Sequence, residues 1–347
     1  MPIFALAPFL LLFIFQCEAQ TPVNKIAHSP QKTTFLLDSA TAAQVITQDA
    51  YDRFFDRVTP CEMSIQMKQA LGKGTPTERA AYQAFLQSDM DNFTASESRW
   101  VASIMQEVFS TCQKFHSEIM PDSLLLIKTK GNHYGDGVYY TRGNCIVIPA
   151  DVLRKADRSA FKSTMYHEVF HVYSRLNPNK RNQLYQLIGF EHIGLDQLDI
   201  PAPLKDRVLY NPDGVDFGKK INLRLEDGST ISAIPIIYSN ADGYQQGKGP
   251  FFSYLEFNLF QVQQTPAGRW QVLTKPDGLT SWLSIPQVPD FFRQIRDNTS
   301  YIIHPDEVLA DNFSFLMLDK EGKKISSKFS PEGKELLEQV KKIITAY

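Results

Sequence analysis

The chain has 347 residues, of which 43% are hydrophobic and 21% charged, and its formal net charge is −2. This composition is typical of a globular protein with a full core, built as one large lobe or two modest ones. Because the charge is nearly balanced and Lys and Arg are scattered, we expect no nucleic-acid partner.

The first 19 residues have the pattern of a secretory signal peptide. Residues 3–15 are almost wholly apolar but too few to span a membrane, and a polar stretch follows Ala19. We therefore expect cleavage after Ala19, export to the periplasm or the medium, and no membrane-spanning segment after signal removal. Lipoprotein processing at Cys17 is an alternative, but the Ile-Phe-Gln before this cysteine differs from the small residues that a lipobox normally has.

Removal of this leader leaves three cysteines, Cys61, Cys112 and Cys145. An odd number allows at most one disulfide within a monomer. Cys61 and Cys112 both fall in the helical N-terminal part, so their pairing is the disulfide to test. The chain has no paired Cys-x-x-Cys ligands, so the sequence does not support a zinc ribbon.

Residues 40–115 have helical periodicity and contain no functional motif, so we interpret them as scaffold. Thr75 and Pro76 have good helix-start chemistry as a cap and a first-turn proline. The predicted helices are Ala43–Val58, Glu62–Leu71, Thr77–Asp89 and Glu97–Phe115.

Three short strands are predicted next, at Leu124–Lys128, Val138–Thr141 and Cys145–Pro149, and the last two form a hairpin-like pair. An edge strand at this position can pair with an extended peptide through main-chain hydrogen bonds. A sheet that simply packs under the following helix fits the pattern equally well.

The segment Met165–Arg175 carries a His-Glu-x-x-His motif that runs from His167 to His171. In a helix of about 3.6 residues per turn, these two histidines lie on one face. Two imidazoles at this spacing can bind one metal ion, and Glu168 beside them can polarise a metal-bound water. The motif predicts a zinc site, although a histidine pair on a helix can also be ordinary packing or surface.

After a further helix at Lys180–Ile188, hairpins are predicted from Lys220–Arg224 with Ile231–Tyr238 and from Phe252–Gln263 with Trp270–Leu273. Their alternation suggests antiparallel sheet with one buried face. The fold class predicted from these elements is α+β.

A second informative stretch begins at Pro305, which suits the first turn of a helix with His304 near the capping position. Glu307 and Asp311 are then one turn apart on the same face. Glu307 can supply a third metal ligand, and Asp311 can hydrogen-bond the outer nitrogen of a ligand histidine. His304 and Asp311 are alternative third ligands, and the acids can also simply favour a helix N-terminus.

The His-Glu-x-x-His motif followed by Glu307-x-x-x-Asp311 resembles the gluzincin group of zincin metallopeptidases, of which thermolysin is a member. The resemblance implies a zincin-like helical and mixed-sheet core with His167, His171 and Glu307 as Zn²⁺ ligands and Glu168 as general base. Glu307 follows His171 by 136 positions, far more than in thermolysin-like proteins. The whole chain also resembles exported bacterial proteins, which implies no activity.

This spacing requires an insertion between the two metal-binding helices. We expect a signal peptide at 1–19, a helical part with the first zincin half at 20–200, an antiparallel β-rich insertion at 201–288 and a C-terminal helical part at 289–347.

The expected function is zinc-dependent hydrolysis of peptide bonds in a protein or peptide substrate. Glu168 would take a proton from the metal-activated water and pass it to the leaving amine. Tyr301 and His304 are the nearest candidates for an oxyanion donor. Two alternatives stay open: a zinc amidase with a non-protein substrate, and a non-catalytic binding or structural protein with a residual metal site.

Overall fold

The computed structural model describes residues 24–346, so the expected signal peptide and Cys17 lie outside the described residues. Helices and two six-stranded sheets make up this part of the chain, which agrees with the predicted α+β class. None of the helices between residues 24 and 346 is both long and apolar enough to cross a membrane.

The first sheet is mixed. Its strand order is β1-β2-β4-β6-β5, with β3 paired to the end of β4; β2, β4 and β6 run parallel, and β5 is an antiparallel edge strand. The predicted pairing of the last two strands is confirmed. The strands are β1 (Lys25–Ala27), β2 (Thr33–Leu36), β3 (Met90–Asp91), β4 (Ser123–Thr129), β5 (Tyr140–Arg142) and β6 (Cys145–Pro149).

The second sheet lies between the two metal-motif helices in the sequence and has the order β7-β9-β10-β11-β12-β8. Both predicted hairpins are confirmed as antiparallel pairs, β9 with β10 and β11 with β12. The sheet already begins at Phe190. Its strands are β7 (Phe190–His192), β8 (Leu198–Asp199), β9 (Lys219–Arg224), β10 (Thr230–Ser239), β11 (Leu255–Gln264) and β12 (Trp270–Val272).

Twelve α-helices are found within the described range. They are α1 (Ser39–Val45), α2 (Phe54–Arg57), α3 (Pro60–Met67), α4 (Pro76–Ser88), α5 (Ala95–Gln113), α6 (Ala150–Lys155), α7 (Arg158–Leu176), α8 (Pro178–Leu187), α9 (Ala202–Lys205), α10 (Pro289–Ile295), α11 (Pro305–Lys320) and α12 (Pro331–Thr345).

One predicted helix, Ala43–Val58, is wrong as a continuous element. The chain leaves α1 after Val45, and the Asp49 carboxylate then accepts hydrogen bonds from the backbone N–H groups of Phe54 and Phe55. An aspartate that satisfies the free N–H groups at a helix start favours a new helix over continuation of the old one.

Helices α7 and α11 pack against each other in the main hydrophobic core, with the rings of Phe170 and Phe313 5.6 Å apart. Asp157 caps α7, and Pro178 follows its last residues. His304 caps α11 and Pro305 occupies its first turn, as the sequence predicts. This packing fixes the relative position of the two motif helices.

The pair selected for a disulfide test, Cys61 and Cys112, is not bonded, because Cys61, Cys112 and Cys145 are all buried free thiols. Cys112 lies in the core around α5 and α7, whereas Cys61 and Cys145 lie in a second cluster. Shared helical character of two segments therefore does not bring their side chains together.

Candidate metal centre

Two histidines from α7 and one glutamate from α11 converge at the interface of these helices. The Nε2 atom of His167 lies 3.0 Å from Glu307 Oε2, and the Nε2 atom of His171 lies 3.3 Å from the same oxygen. The ligand atoms of the three residues all lie within 4.8 Å of one another. The structure thus brings together the three residues that the sequence analysis selects as metal ligands.

The outer nitrogen of each histidine is held by a carboxylate. His167 Nδ1 donates to Asp311 Oδ1 at 2.9 Å, and His171 Nδ1 donates to Asp306 Oδ2 at 2.7 Å. A carboxylate only accepts hydrogen bonds, so these contacts place a proton on each Nδ1. Each Nε2 is then the nitrogen that can bind a metal, which is the usual outer-shell arrangement at histidine metal sites.

Asp306 has a role that the sequence analysis missed. Besides His171, the buried carboxylate accepts hydrogen bonds from Ser174 Oγ at 2.6 Å and from the Tyr185 hydroxyl at 2.7 Å. The only signal in the sequence is its place beside Glu307 in the first turn of a helix, where an acid is common for dipole reasons alone.

The second oxygen of Glu307 is held by a side chain from the loop between α9 and β9. Asn211 Nδ2 donates to Glu307 Oε1 at 2.5 Å. Burial alone would raise the pKa of Glu307, but the positive charge of His171 and the hydrogen bond from His167 hold it well below its usual range. Glu307 is therefore anionic, as a metal-binding carboxylate must be.

The carboxylates also favour positive charge on the histidines. Burial lowers the pKa of His167, but hydrogen bonds to Asp311 and Glu307 more than offset this and raise it to about 10. The negative charge of these carboxylates can be balanced by protons on the histidines or by a metal cation in their place.

Glu168 lies beside these ligands with an unsatisfied oxygen. It is 4% exposed, and Oε2 has no hydrogen-bond partner among residues 24–346. Burial, followed by the charge of Asp213, raises the Glu168 pKa to about 8. The Nε2 atom of His171 is likewise buried and has no well-aligned hydrogen bond in this part of the chain. Since buried polar atoms are normally paired, these two atoms fit a site that takes a metal ion and its water.

Asp213 is a second residue that the sequence analysis missed, since its segment is visible in the sequence only as a turn. Its carboxylate oxygen lies within 4.8 Å of ligand atoms of both Glu168 and His171. The hydrogen bonds of this carboxylate go to β5, where Oδ1 accepts from the backbone N–H and the hydroxyl of Thr141, each at 2.6 Å.

A cleft of about 360 Å³ opens on His167, Glu168 and Glu307. The backbone of Gly137–Tyr139, which leads into the edge strand β5, lies along it. The ring of Tyr301 stacks against His167 with 6.1 Å between centroids. Tyr301, one of the predicted oxyanion donors, is therefore at the site.

An aromatic pocket adjoins this cleft and shares part of its wall. The shared residues are Val138, Tyr139, Asp213, Phe252 and Tyr301. The remaining lining is mostly apolar and consists of Tyr134, Tyr140, Leu209, Tyr210, Asn211, Pro212, Ile237, Phe251, Leu255 and Ile303.

His304 does not take part in the cluster. Its Nδ1 accepts from the backbone N–H of Asp306 at 3.1 Å, and its Nε2 donates to the carbonyl oxygen of Asp216 at 3.4 Å. Both ring nitrogens are thus used in capping α11 and in fixing a neighbouring loop.

Comparison of the chain with family models, with curated proteins and with solved structures finds no match to any of the three.

Proposed function

We propose that the protein is an exported zinc-dependent metallopeptidase of the gluzincin type. The observation that carries the proposal is the convergence of His167, His171 and Glu307 from two helices. Glu307 follows His171 by 136 positions in the sequence. The mixed sheet beside α7, with its antiparallel edge strand, supports a zincin-like core.

The donor set suits zinc. Two imidazole nitrogens and one carboxylate oxygen are typical of a catalytic zinc site, which keeps a further position for water or substrate. The carboxylates of Asp311 and Asp306 orient the two rings. A structural zinc site would instead be closed by a fourth side chain and would need no cleft.

Zinc in such a site supplies a Lewis acid for the substrate carbonyl and a water of lowered pKa. Glu168 then acts as general base, because its unpartnered Oε2 is free to take a proton from water. Tyr301 supplies a hydroxyl donor for the developing oxyanion, since it forms part of the cleft wall beside His167.

The edge of the first sheet favours a peptide as the substrate. Gly137–Tyr139 lines the cleft immediately before the edge strand β5, so an extended chain in the cleft can lie beside this backbone. A non-protein amide would gain nothing from this backbone.

The test begins with purified protein, its zinc content by mass spectrometry, and a peptide library with free and blocked amino termini. We expect about one zinc per chain and peptide cleavage that a chelator removes and zinc restores. Glu168→Gln should lose about 10³-fold or more in kcat while it retains zinc. Glu332→Gln, a change of an exposed glutamate, is the matched control.

The metal assignment has its own variant. A His167→Ala, His171→Ala double variant should bind no zinc, whereas His192→Ala should bind as much as wild type. If the double variant binds as much zinc as the wild type, the proposed centre is excluded. Unchanged cleavage by Glu168→Gln would exclude Glu168 as the base.

A further inference from the structure

We propose that the centre acts at the amino terminus of its substrate, as an aminopeptidase with a preference for an apolar first residue. Asp213 receives the free α-ammonium group, and the aromatic pocket receives the first side chain. This inference rests on the proposed peptide hydrolysis.

The edge available to an extended substrate is closed at one end. Thr141 is in the outermost strand, but its backbone N–H and hydroxyl are both donated to Asp213 Oδ1 at 2.6 Å. An extended chain in the cleft can therefore lie beside Val138 and Tyr139 but cannot continue its pairing past Thr141. A closed cleft end is what an exopeptidase requires.

The segment that closes this end is fixed in place by Arg175. Its guanidinium donates to the carbonyl oxygen of Pro212 at 2.9 Å, to the Thr141 hydroxyl at 3.0 Å and to Asp52 Oδ2 at 2.6 Å. None of its hydrogen bonds goes to the carboxylate of Asp213. Within residues 24–346, the Asp213 carboxylate forms no ion pair with a lysine or an arginine, so an ammonium group of the substrate can donate a hydrogen bond to it.

Charge selects which substrate end fits there. The carboxylate oxygens of Asp213 and Glu168 lie within 4.8 Å of each other, and Glu168 Oε2 is buried without a partner among the described residues. A substrate carboxylate would find two carboxyl groups and no positively charged donor at this point, whereas an α-ammonium group can donate hydrogen bonds to both.

The amino-terminal assignment corresponds to a substrate that pairs antiparallel to this strand. The strand runs from residue 137 toward residue 142, so a peptide that pairs antiparallel to it has its amino end near Thr141. This is the end at which Asp213 lies. An antiparallel substrate therefore presents its ammonium group to Asp213 and continues toward the open end of the cleft.

The first side chain then faces the aromatic pocket, because Asp213 belongs to the walls of both the cleft and the pocket. The pocket has a cavity volume of about 60 Å³, and its lining includes four tyrosine and two phenylalanine rings besides Tyr301. Such a surface favours leucine or phenylalanine and disfavours a charged side chain, which would lose its hydration.

The reaction that follows is hydrolysis of the first peptide bond. The oxygen of water joins the carbonyl carbon of residue one, the C–N bond breaks, and the proton held by Glu168 passes to the nitrogen of the leaving amine. The products are a free amino acid and a peptide shortened by one residue.

The decisive measurement compares L-phenylalanine p-nitroanilide with its N-acetyl derivative on the zinc-loaded protein. We expect kcat/KM to be higher for the free amine by about 100-fold, the size of a lost hydrogen-bonded charge contact. Asp213→Asn, which keeps an acceptor for Thr141, should reduce this ratio at least about tenfold. Asp206→Asn, a change of an exposed aspartate, should leave the ratio as in wild type.

A binding measurement avoids dependence on the folding of the Asp213 variant. The peptide Phe-Gly-Gly should bind to zinc-loaded Glu168→Gln protein at least about tenfold more tightly than its acetylated form in calorimetry. Similar cleavage and binding of free and acetylated forms would overturn the amino-terminal assignment and leave the peptidase proposal standing. Zinc-loaded wild type that cleaves no peptide, free or blocked, would overturn the peptidase proposal and this inference with it.

Discussion

Asp306 accepts a hydrogen bond from His171 Nδ1 at 2.7 Å at the buried interface of α7 and α11. Asp311 has the same relation to His167 at 2.9 Å, but its side chain is 25% exposed, whereas that of Asp306 is 2% exposed. Both carboxylates thus hold a histidine ring, but only that of Asp306 is buried. We therefore expect the two residues to contribute alike to metal affinity and differently to stability.

Replacement of either carboxylate by its amide should weaken zinc binding by about 10- to 100-fold, because an outer-shell partner orients its histidine. Asp306→Asn should also lower the free energy of unfolding by about 1–3 kcal/mol, since its NH₂ group would face the donors Ser174 and Tyr185. Asp311→Asn should cost much less. Metal titrations and denaturant melts of the metal-free variants check both parts, and equal melts for the two variants would contradict this assignment.

Tyr301→Phe should lower kcat by about 10- to 100-fold with little change in KM. The ring still stacks on His167 in this variant, but the hydroxyl donor to the oxyanion is lost. Tyr51→Phe is the control, because Tyr51 is also an exposed tyrosine and lies outside the cleft. A change in KM alone would instead make Tyr301 a substrate-binding residue.

Glu62 should make the stability of the protein depend on pH. It is fully buried, and burial raises its pKa from 4.5 to about 8. The unfolded chain therefore loses this proton first as pH rises. Stability that is present below pH 4.5 is lost progressively up to about pH 8, at no more than about 1.4 kcal/mol per pH unit.

The comparison for Glu62 is with Glu62→Gln, which does not titrate. The wild type should lose stability relative to this variant between about pH 5 and pH 8, measured by denaturant unfolding at each pH. Glu332→Gln, at an exposed position, should follow the wild-type curve throughout. If the free energy of unfolding of the wild type minus that of Glu62→Gln stays constant or rises with pH, the raised pKa is contradicted.

The three described thiols should be unreactive in the folded protein. All are buried, and burial raises the pKa of Cys61 to about 11 and that of Cys145 to about 12, and raises that of Cys112 as well. With Cys17→Ser, Ellman's reagent at pH 8 should find no thiol in the native protein and three after denaturation without reductant. A count of one after denaturation would show a disulfide instead.

Local patterns predicted much of this molecule. The turn of helix between His167 and His171, the Pro305 helix start and the hairpins of the second sheet all depend on residues close together in the sequence. The failed helix at Ala43–Val58 is also a local matter. There, side-chain capping by Asp49 outweighs helical periodicity, and periodicity alone does not record it.

The parts that sequence reasoning missed depend on contacts across long separations. Asp306 meets His171 across 135 positions, and Asn211 meets Glu307 across 96. No spacing rule links such residues, because their approach depends on the packing of α7 against α11 and on the path of the connecting sheet. Sequence reasoning selected Glu307 because Asp311, an acid one helical turn away, supplied a second, local signal, and the structure places the Glu307 carboxylate beside both histidines.

The turn that contains Asn211 and Asp213 has a consequence for assembly. Its side chains contact Glu307 and Thr141, and its backbone accepts from Arg175, so one short segment joins both motif helices and the edge strand. A chain in which residues 190–288 had not yet docked would lack two of the groups that surround the ligands. High-affinity zinc uptake would therefore mark the last stage of folding, when separately formed parts of the chain have come together.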